Sequence, residues 1–400
     1  MSPHIDYLKT LTPEAGIARA VYLYAPDGGQ NLLWVLGADI GQSDLRLVHQ
    51  QTPSFNLSLV GAADTRRSRV YARAAGEAVE RFALLPPVVS DAIPAVIRAD
   101  GGATWNGDLA GRVVDAVEGH HITDGGVVSD VFVPLGAVNY PAAVEVEEGL
   151  FDPSPSGTAS GTSRGDAVER ACKEVLERHA AMKAWIERSP LDQVDVDGVA
   201  TRSSEFAQLA SRARGIGLEL VFAYLCPADN HPQPIMCMLL DESGELACAG
   251  LGLERDDAHG AFRALQEALQ VRTVLLTPTT TDLDAHAPTA VSDDEERAAY
   301  WGSSHGLKAA KDWHRLVSRT PRPLAEPHPS VSWSTLVGER IEVDLTHRLP
   351  QPVRDMGWCV VKVLSARLQP LRMSDVVLWN IVNPEGYPLD QLPAAPHPYI

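Results

Sequence analysis

The chain has 400 residues, 45% of them hydrophobic and 22% charged, an ordinary globular balance with enough apolar material for a sizeable core. A formal charge of -18 argues against a protein that works by neutralising a nucleic-acid backbone. No apolar run is long enough to span a bilayer, and the opening MSPHIDYLKTLTPEAG lacks the zones of a signal peptide, so the expectation is a cytoplasmic protein with no membrane and no nucleic-acid partner.

In chain order, ARAVYLYA and NLLWVLGAD read as short strands around the turn signal PDGG. They form a lead-in over residues 1–57, packed on a main domain of residues 58–400. From Thr65 to Leu85 the pattern is helical and stops at Pro86-Pro87. DVFVPLGAV and AAVEVEEG follow as strands, and PSPSGTASGTSRG (153–165) reads as the most flexible stretch. Ser163, with Asp166 three positions on, resembles a capping box that opens the helix DAVERACKEVLERHAAMKAWIE. A helix (SSEFAQLASRARGI), three strands (ELVFAYLC, PIMCMLLD, LACAGLGLE) and a further helix (DAHGAFRALQEALQVRTVLL) come next. Residues 280–335 read as loops with one helix, CVVKVL and VVLWNIV as strands, and PLDQLPAAPHPYI as a proline-rich tail. The fold class expected is α/β (α+β): mixed sheets with packed helices in a single large domain.

The five cysteines form no C-x-x-C pair and the thirteen histidines no H-E-x-x-H, so neither a redox dithiol nor a transition-metal site is expected. The chemistry lies in the acids. Glu77 and Glu80 are followed by Arg81, Glu174 and Glu177 by Arg178, and Glu267 and Gln270 by Arg272. Residues three apart share a helix face, so three otherwise apolar helices each offer a pair of oxygen ligands. A single such pair is most simply a solvated face; the apolar flanks of all three helices argue for a buried role. Gathered carboxylates repel unless cations neutralise them, hard oxygens suit magnesium, and arginines grip phosphate oxygens. The pattern suggests an acid-lined ATP site without a Walker loop, since no G-x-x-x-x-G-K-[ST] occurs and GLG at 250–252 reads as a turn. Gly161 to Gly165 is a literal G-x-S-x-G, which would make Ser163 a hydrolase nucleophile, but a nucleophile elbow needs a buried strand before it and PSPSGTAS does not read as one. Helix capping is the preferred reading of Ser163.

Three stretches in order resemble the YcaO family of ATP-dependent peptide-backbone-modifying enzymes: GAAD (61–64) with GEAVER, SGTASGTSRGDAVERACKEVLERHA with Trp185 beyond, and AFRALQEALQVR. The ending APHPYI resembles the proline-rich tail of the azoline-forming branch. The resemblance implies ATP and magnesium as cofactors, with metal at Glu80, Glu177 and Glu267 and nucleotide at Arg73, Glu77, Arg81, Glu174, Gln270 and Arg272. Pro396, His397 and Pro398 are implied as catalytic candidates in the tail. Departures stand at Arg73, where the family has serine, at Ala62 or Ala63, where it has lysine, at Asp166, at His179 and at Ile400. The implied reaction is azoline formation at Cys, Ser or Thr of a ribosomally made precursor peptide, with thioamide or amidine formation as the alternative. The implied partners are that precursor peptide and a separate ThiF-like or leader-recognition protein; a homodimer is compatible with the sequence.

Overall fold

The computed structural model describes residues 5–29, 31–40, 59–87, 91–96, 111, 113–123, 126–140, 154–227, 232–276, 291, 294–327, 331–365, 367–373 and 393–399. The strand expectations AAVEVEEG and VVLWNIV, residues 280–290 and Ile400 lie outside these residues. In chain order the strands are β1 (Ala20–Tyr24), β2 (Trp34–Asp39), β3 (Leu59–Asp64), β4 (Ile93–Val96), β5 (Val113–Thr123), β6 (Gly126–Pro134), β7 (Thr158–Gly161), β8 (Leu191–Val194), β9 (Glu219–Tyr224), β10 (Ile235–Asp241), β11 (Leu246–Gly252), β12 (Val317–Arg322), β13 (Arg340–Asp344) and β14 (Cys359–Leu364). The longer helices are α1 (Arg67–Leu84), α2 (Arg164–Glu187), α3 (Val196–Arg202), α4 (Ser204–Gly215), α5 (Asp257–Leu275), α6 (Asp294–Trp301) and α7 (Ser304–His314).

The strands form three sheets: an antiparallel β1-β2-β3, a five-stranded β11-β10-β9-β8-β12, and a six-stranded β4-β5-β13-β14-β7 in which β6 also pairs β5. This is the mixed architecture expected from the sequence. The lead-in strands β1 and β2 are continuous with β3, through pairs such as Leu36↔Ala62. The apolar runs IMCMLLD and LACAGLG show no alternation because helices α5 and α7 both pack on β10 and β11, so every residue of the two strands is buried.

Several expectations change. GLG at 250–252 is not a turn but the end of β11, and its glycines are sites of helix contact: a Cβ on Gly250 would stand 2.2 Å from the Ala264 carbonyl oxygen, and one on Gly252 2.0 Å from that of Gly260. TASG is a short, fully buried strand, β7, rather than flexible chain. The region after residue 290 holds the helices α6 and α7 and the strand β12, where one helix was expected. Its polar composition hid them: α7 buries Gly306, Leu307, Ala309, Ala310 and Trp313, of which only Leu307 and Trp313 are large apolar side chains.

The helix α2 ties the molecule together. Ala167, Val168, Ala171, Cys172 and Val175 pack with Ala159, Val361 and Val363 of β7 and β14. Ala180, Ala181, Met182, Trp185 and Ile186 enter the core built around the five-stranded sheet. Twenty-four residues span about 36 Å, enough to bridge two sheets. Helix α1 buries Val70, Ala74, Ala78 and Val79 with the small sheet and the inner residues of β5 and β13. Because backbone faces backbone where α5 lies on β11, replacing Gly250 by valine is expected to lower stability by about 1–3 kcal/mol or more in urea unfolding, whereas Gly165→Ala, at a site with no neighbour within 4 Å of the added Cβ, is expected to change it little.

Candidate active site

Three helix faces meet where α1, α2 and α5 adjoin. Each carries a partly open stripe among its buried residues: Arg73, Gly76, Glu77 and Glu80 on α1, Lys173, Glu174, Glu177 and Arg178 on α2, and Arg263, Glu267 and Gln270 on α5. The charged side chains act on one another across the helices: Glu77 and Arg81 on Glu174, Glu267 on Glu177, and Arg178 on Glu267 at 4.0 Å.

Glu80 is held at the free edge of β7: one carboxylate oxygen accepts the Ser160 N–H (2.8 Å) and the Ser160 hydroxyl (2.9 Å). Gly76 permits that approach, since a Cβ there would stand 3.2 Å from Ser160 Oγ. Glu77 accepts from Arg81 Nε at 3.0 Å. The Arg81 guanidinium also lies over the Tyr140 ring, 5.5 Å from its centroid, and the Tyr140 hydroxyl donates to Asp294 at 2.8 Å. On α5, Glu267 accepts the Leu251 N–H of β11 at 3.0 Å. Between Glu174 and Glu267 sits Arg178, 3.5 Å from the first and 4.0 Å from the second, with Nε and Nη1 buried and without a hydrogen-bond partner among the described residues.

Removal from water raises the pKa of Glu80, with Glu77 adding to it, and raises that of Glu177, with Glu267 adding to it. Burial likewise raises Glu174. Burial opposes the Arg178 charge, but Glu267, Glu174 and Glu177 together raise its pKa. The cluster therefore holds more negative charge than its arginines neutralise. Among the described residues no three acidic, histidine or cysteine groups converge tightly enough to cage a metal. Carboxylates standing singly and in pairs fit magnesium, which takes one or two protein carboxylates and completes its shell with water and phosphate. The Arg178 donors, ion-paired but not hydrogen-bonded among the described residues, fit an anion beside it.

The other residues singled out from the sequence fall around this centre. Arg73 Nη1 donates to the Ala63 carbonyl (2.5 Å) and lies 3.5 Å from both Asp64 and Gln266. Gln270 has both ends of its amide on β3, accepting from Ala63 N (3.0 Å) and donating to Gly61 O (3.1 Å). Arg272 is buried away from the acids and grips Asp241 at the end of β10 through Nε (2.8 Å) and Nη2 (2.6 Å). Ser163 is exposed and its hydroxyl accepts the Asp166 N–H at 3.2 Å, the bond of a helix N-cap, although the strand before it is buried. His179 accepts the Gln369 N–H at 2.9 Å.

The tail is buried, not frayed: Pro396, His397, Pro398 and Tyr399 are all inside. Trp301 Nε1 (3.0 Å) and Arg297 Nη1 (3.3 Å) donate to the His397 carbonyl, and Trp185 Nε1 to that of Ala395 (3.3 Å). His397 donates from Nε2 to the Arg372 carbonyl and accepts the Tyr399 N–H at Nδ1 (3.3 Å), so both ring nitrogens are engaged. Burial, with Arg297 adding to it, drives its pKa well below the ordinary value. Tyr399 lies near enough for Arg178, Glu267 and Glu177 to act on its hydroxyl, which points to Met236 Sδ at 3.0 Å.

Sequence reasoning noted Arg178 without placing it in the site, and it missed Ser160, Tyr399 and Lys362. Lys362, in the middle of β14, is 1% exposed, donates to the Ser154 carbonyl at 2.6 Å, and is lowered to about 7 by burial against a partial offset from Glu174. A single lysine inside the apolar run CVVKVL was the available signal.

Partly buried carboxylates clustered between helices and flanked by arginines form the candidate site of an α/β fold. The chain belongs to the YcaO family: the model described as YcaO cyclodehydratase, ATP- and Mg2+-binding, matches residues 65–369. No curated protein matches it. Among solved structures it is similar to a heterocyclase in complex with substrate and cofactor (TM-score 0.70, 15% identity, covering 98% of this chain and 56% of that one). It is also similar to YcaO from Methanopyrus kandleri bound with AMPPCP and Mg2+ (TM-score 0.59, 16% identity, 94% and 92% covered) and to the E. coli microcin synthetase McbBCD complex with pro-MccB17 bound (TM-score 0.61, 11% identity, 86% and 87% covered). The chain thus spans a little over half of the first of these, and identities this low speak to fold.

Because Glu80 and Glu177 bind a proton more tightly in the folded than in the unfolded chain, ionising them costs stability. The metal-free protein is expected to lose stability as pH rises from the usual carboxylate range toward neutrality, and the gain in melting temperature on adding MgCl2 to be larger at about pH 8 than at about pH 5. Thermal melts across that range check it; a magnesium effect independent of pH would contradict the assignment.

Proposed function

We propose that this protein is an ATP- and magnesium-dependent cyclodehydratase that converts Cys, Ser or Thr of a ribosomally made precursor peptide to azolines. The observation that carries this reading is the meeting of carboxylates from α1, α2 and α5 around Arg178, whose Nε and Nη1 make no hydrogen bond among the described residues, in a chain of the YcaO family. The similarity to a heterocyclase bound with substrate and cofactor and to a synthetase bound with pro-MccB17 supports a peptide substrate. The multi-protein McbBCD complex supports a separate leader-recognition or ThiF-like partner.

In this reading the substrate's thiol or hydroxyl gives up its proton and adds to the preceding amide carbonyl carbon. The resulting oxyanion takes the terminal phosphoryl group of the co-substrate ATP, releasing ADP, and leaves as phosphate with loss of the amide proton to give the ring; magnesium, when bound, would supply charge neutralisation. The protein's residues position and neutralise. Glu80, Glu177 and Glu267, singly or in pairs, would hold magnesium; Glu80 and Glu267 are pre-aimed by backbone N–H groups of β7 and β11, so little side-chain freedom would be lost on binding. Arg81 and Arg178 face phosphate oxygens, with Glu77 and Glu174 fixing their guanidinium planes. Gln270 and Arg272 act by position, tying α5 to β3 and to β10. With both His397 nitrogens engaged, Pro396, His397 and Pro398 serve as the floor that seats Tyr399 beside Arg178 and Glu267.

Calorimetry with MgATP tests the site: Glu177→Gln and Glu267→Gln are expected to weaken binding at least tenfold and to abolish its dependence on magnesium. Mass spectrometry of a co-expressed precursor tests the product: loss of one water per ring marks azolines, while exchange of oxygen for sulfur marks a thioamide. If the wild-type protein with its partner shows no magnesium-dependent ATP binding, the reading fails.

A further inference from the structure

We propose that Tyr140 and Asp294 are positioning residues for Arg81: the tyrosine ring backs the guanidinium, and the aspartate of α6 fixes the ring. This role rests on the reading above that Arg81 meets phosphate, and it adds what holds that arginine in place. An arginine on a helix has a long, freely rotating stem, so a grip on an oxyanion is strongest when its planar fork is set beforehand. On one side Arg81 Nε donates to Glu77 at 3.0 Å. On the other, the guanidinium stands 5.5 Å from the centroid of the Tyr140 ring, within the range of a cation–π contact. Nη1 and Nη2 make no hydrogen bond among the described residues, so the two holds orient the fork without using its outer donors.

Tyr140 is anchored through both its backbone and its hydroxyl. Its N–H donates to the Leu84 carbonyl at the C-terminal end of α1 (3.0 Å), three residues past Arg81. Arg348 ties the preceding residue to the same turn, donating from Nη1 to Asn139 Oδ1 (2.8 Å) and to the Ala83 carbonyl (3.1 Å). The Tyr140 hydroxyl donates to Asp294 Oδ2 at 2.8 Å. Asp294 is 7% exposed, and its Oδ1 has no hydrogen-bond partner among the described residues. A buried carboxylate with one oxygen unmatched costs stability, so the contact is poorly explained as a bond that holds the fold. Its charge does reach the arginine: burial works against the Arg81 cation, while Glu77 and Asp294 are among the groups that lift its pKa above the ordinary value. Asp294 in turn stands on fixed ground. Three and seven residues along the same face of α6, Arg297 donates to the carbonyls of Met373 (2.7 Å), Arg372 (3.1 Å) and His397 (3.3 Å), and Trp301 to that of His397 (3.0 Å). Helix α6 therefore spans from the seat of the tail to the ring behind Arg81.

Nitrogen-15 spectra of the arginine-labelled full chain read the order of Arg81 with no ligand present, its Nε–Hε signal being assigned by its loss in Arg81→Lys. Tyr140→Phe, which keeps the ring and drops the hydroxyl, and Asp294→Ala are each expected to broaden that signal or speed its exchange with water. Asp294→Asn, which keeps an acceptor for the phenol, is expected to restore it. In calorimetry with MgATP, Tyr140→Phe and Asp294→Ala are each expected to weaken binding about fivefold, with no further loss when combined and none when either is added to Arg81→Ala. MgATP binding that falls as far without Arg81 as with it would mark a purely structural role and overturn the proposal, as would an Arg81 signal unchanged in both variants. A disturbed Arg81 signal in a protein that binds no MgATP would keep the positioning role and sink the nucleotide reading; MgATP binding with an undisturbed signal would do the reverse.

Discussion

Burying carboxylates of one sign beside each other is the constraint to which the centre of this protein is fitted. Glu80 and Glu177 have ionised states disfavoured by removal from water and by their neighbours, and the surrounding structure offsets this only in part. Ser160 gives Glu80 two hydrogen bonds, Leu251 gives Glu267 one, and Arg81 and Arg178 bring positive charge. What remains is a deficit of cations beside Glu80 and Glu177. A ligand that brings a divalent metal with it would resolve that imbalance, which is why the site's electrostatics and its proposed occupant are one argument.

The fold exists to hold three helices at the spacing this requires. Glycines 250 and 252 let α5 lie backbone to backbone on β11, which puts Glu267 within reach of the Leu251 N–H. Gly76 does the same for α1 against Ser160. Helix α2 crosses from the β7–β14 edge to the core of the five-stranded sheet, so the middle of its length, where Glu174 and Arg178 stand, falls between the two sheets. The Asp241–Arg272 pair, buried on both sides, locks the far end of α5 to β10. Packing and chemistry share the same residues, and neither can be moved without the other.

Much of this was legible in the chain itself. The paired acids three apart on apolar helices announced which residues would meet, because the helical period is local and strong. The N-cap at Ser163 was legible for the same reason. Less visible were features whose signal is spatial. The glycines of β11 read as a turn because sequence carries no sign of the helix lying on them. TASG read as flexible because four small residues have weak strand preference until β14 and Glu80 take up their hydrogen bonds. Lys362 and Tyr399 sit far along the chain from the motifs they join, and Arg73 reaches Gln266 only when α1 meets α5. The long polar region after residue 290 concealed α6 and α7 because two short helices with narrow apolar stripes leave little periodicity to detect.

Gln270 clasps the backbone of β3 at Gly61 and Ala63 across more than two hundred residues of chain. For contacts so distant along the sequence, the entropy of the intervening loop must be lost before they return anything. The acids of α1 and α2 meet those of α5 only once that loop is closed. A chain stalled short of that clasp would carry exposed, mutually repelling carboxylates and no competent pocket. Occupancy of the finished pocket is thus also a report on folding: it marks molecules whose early and late segments have found each other.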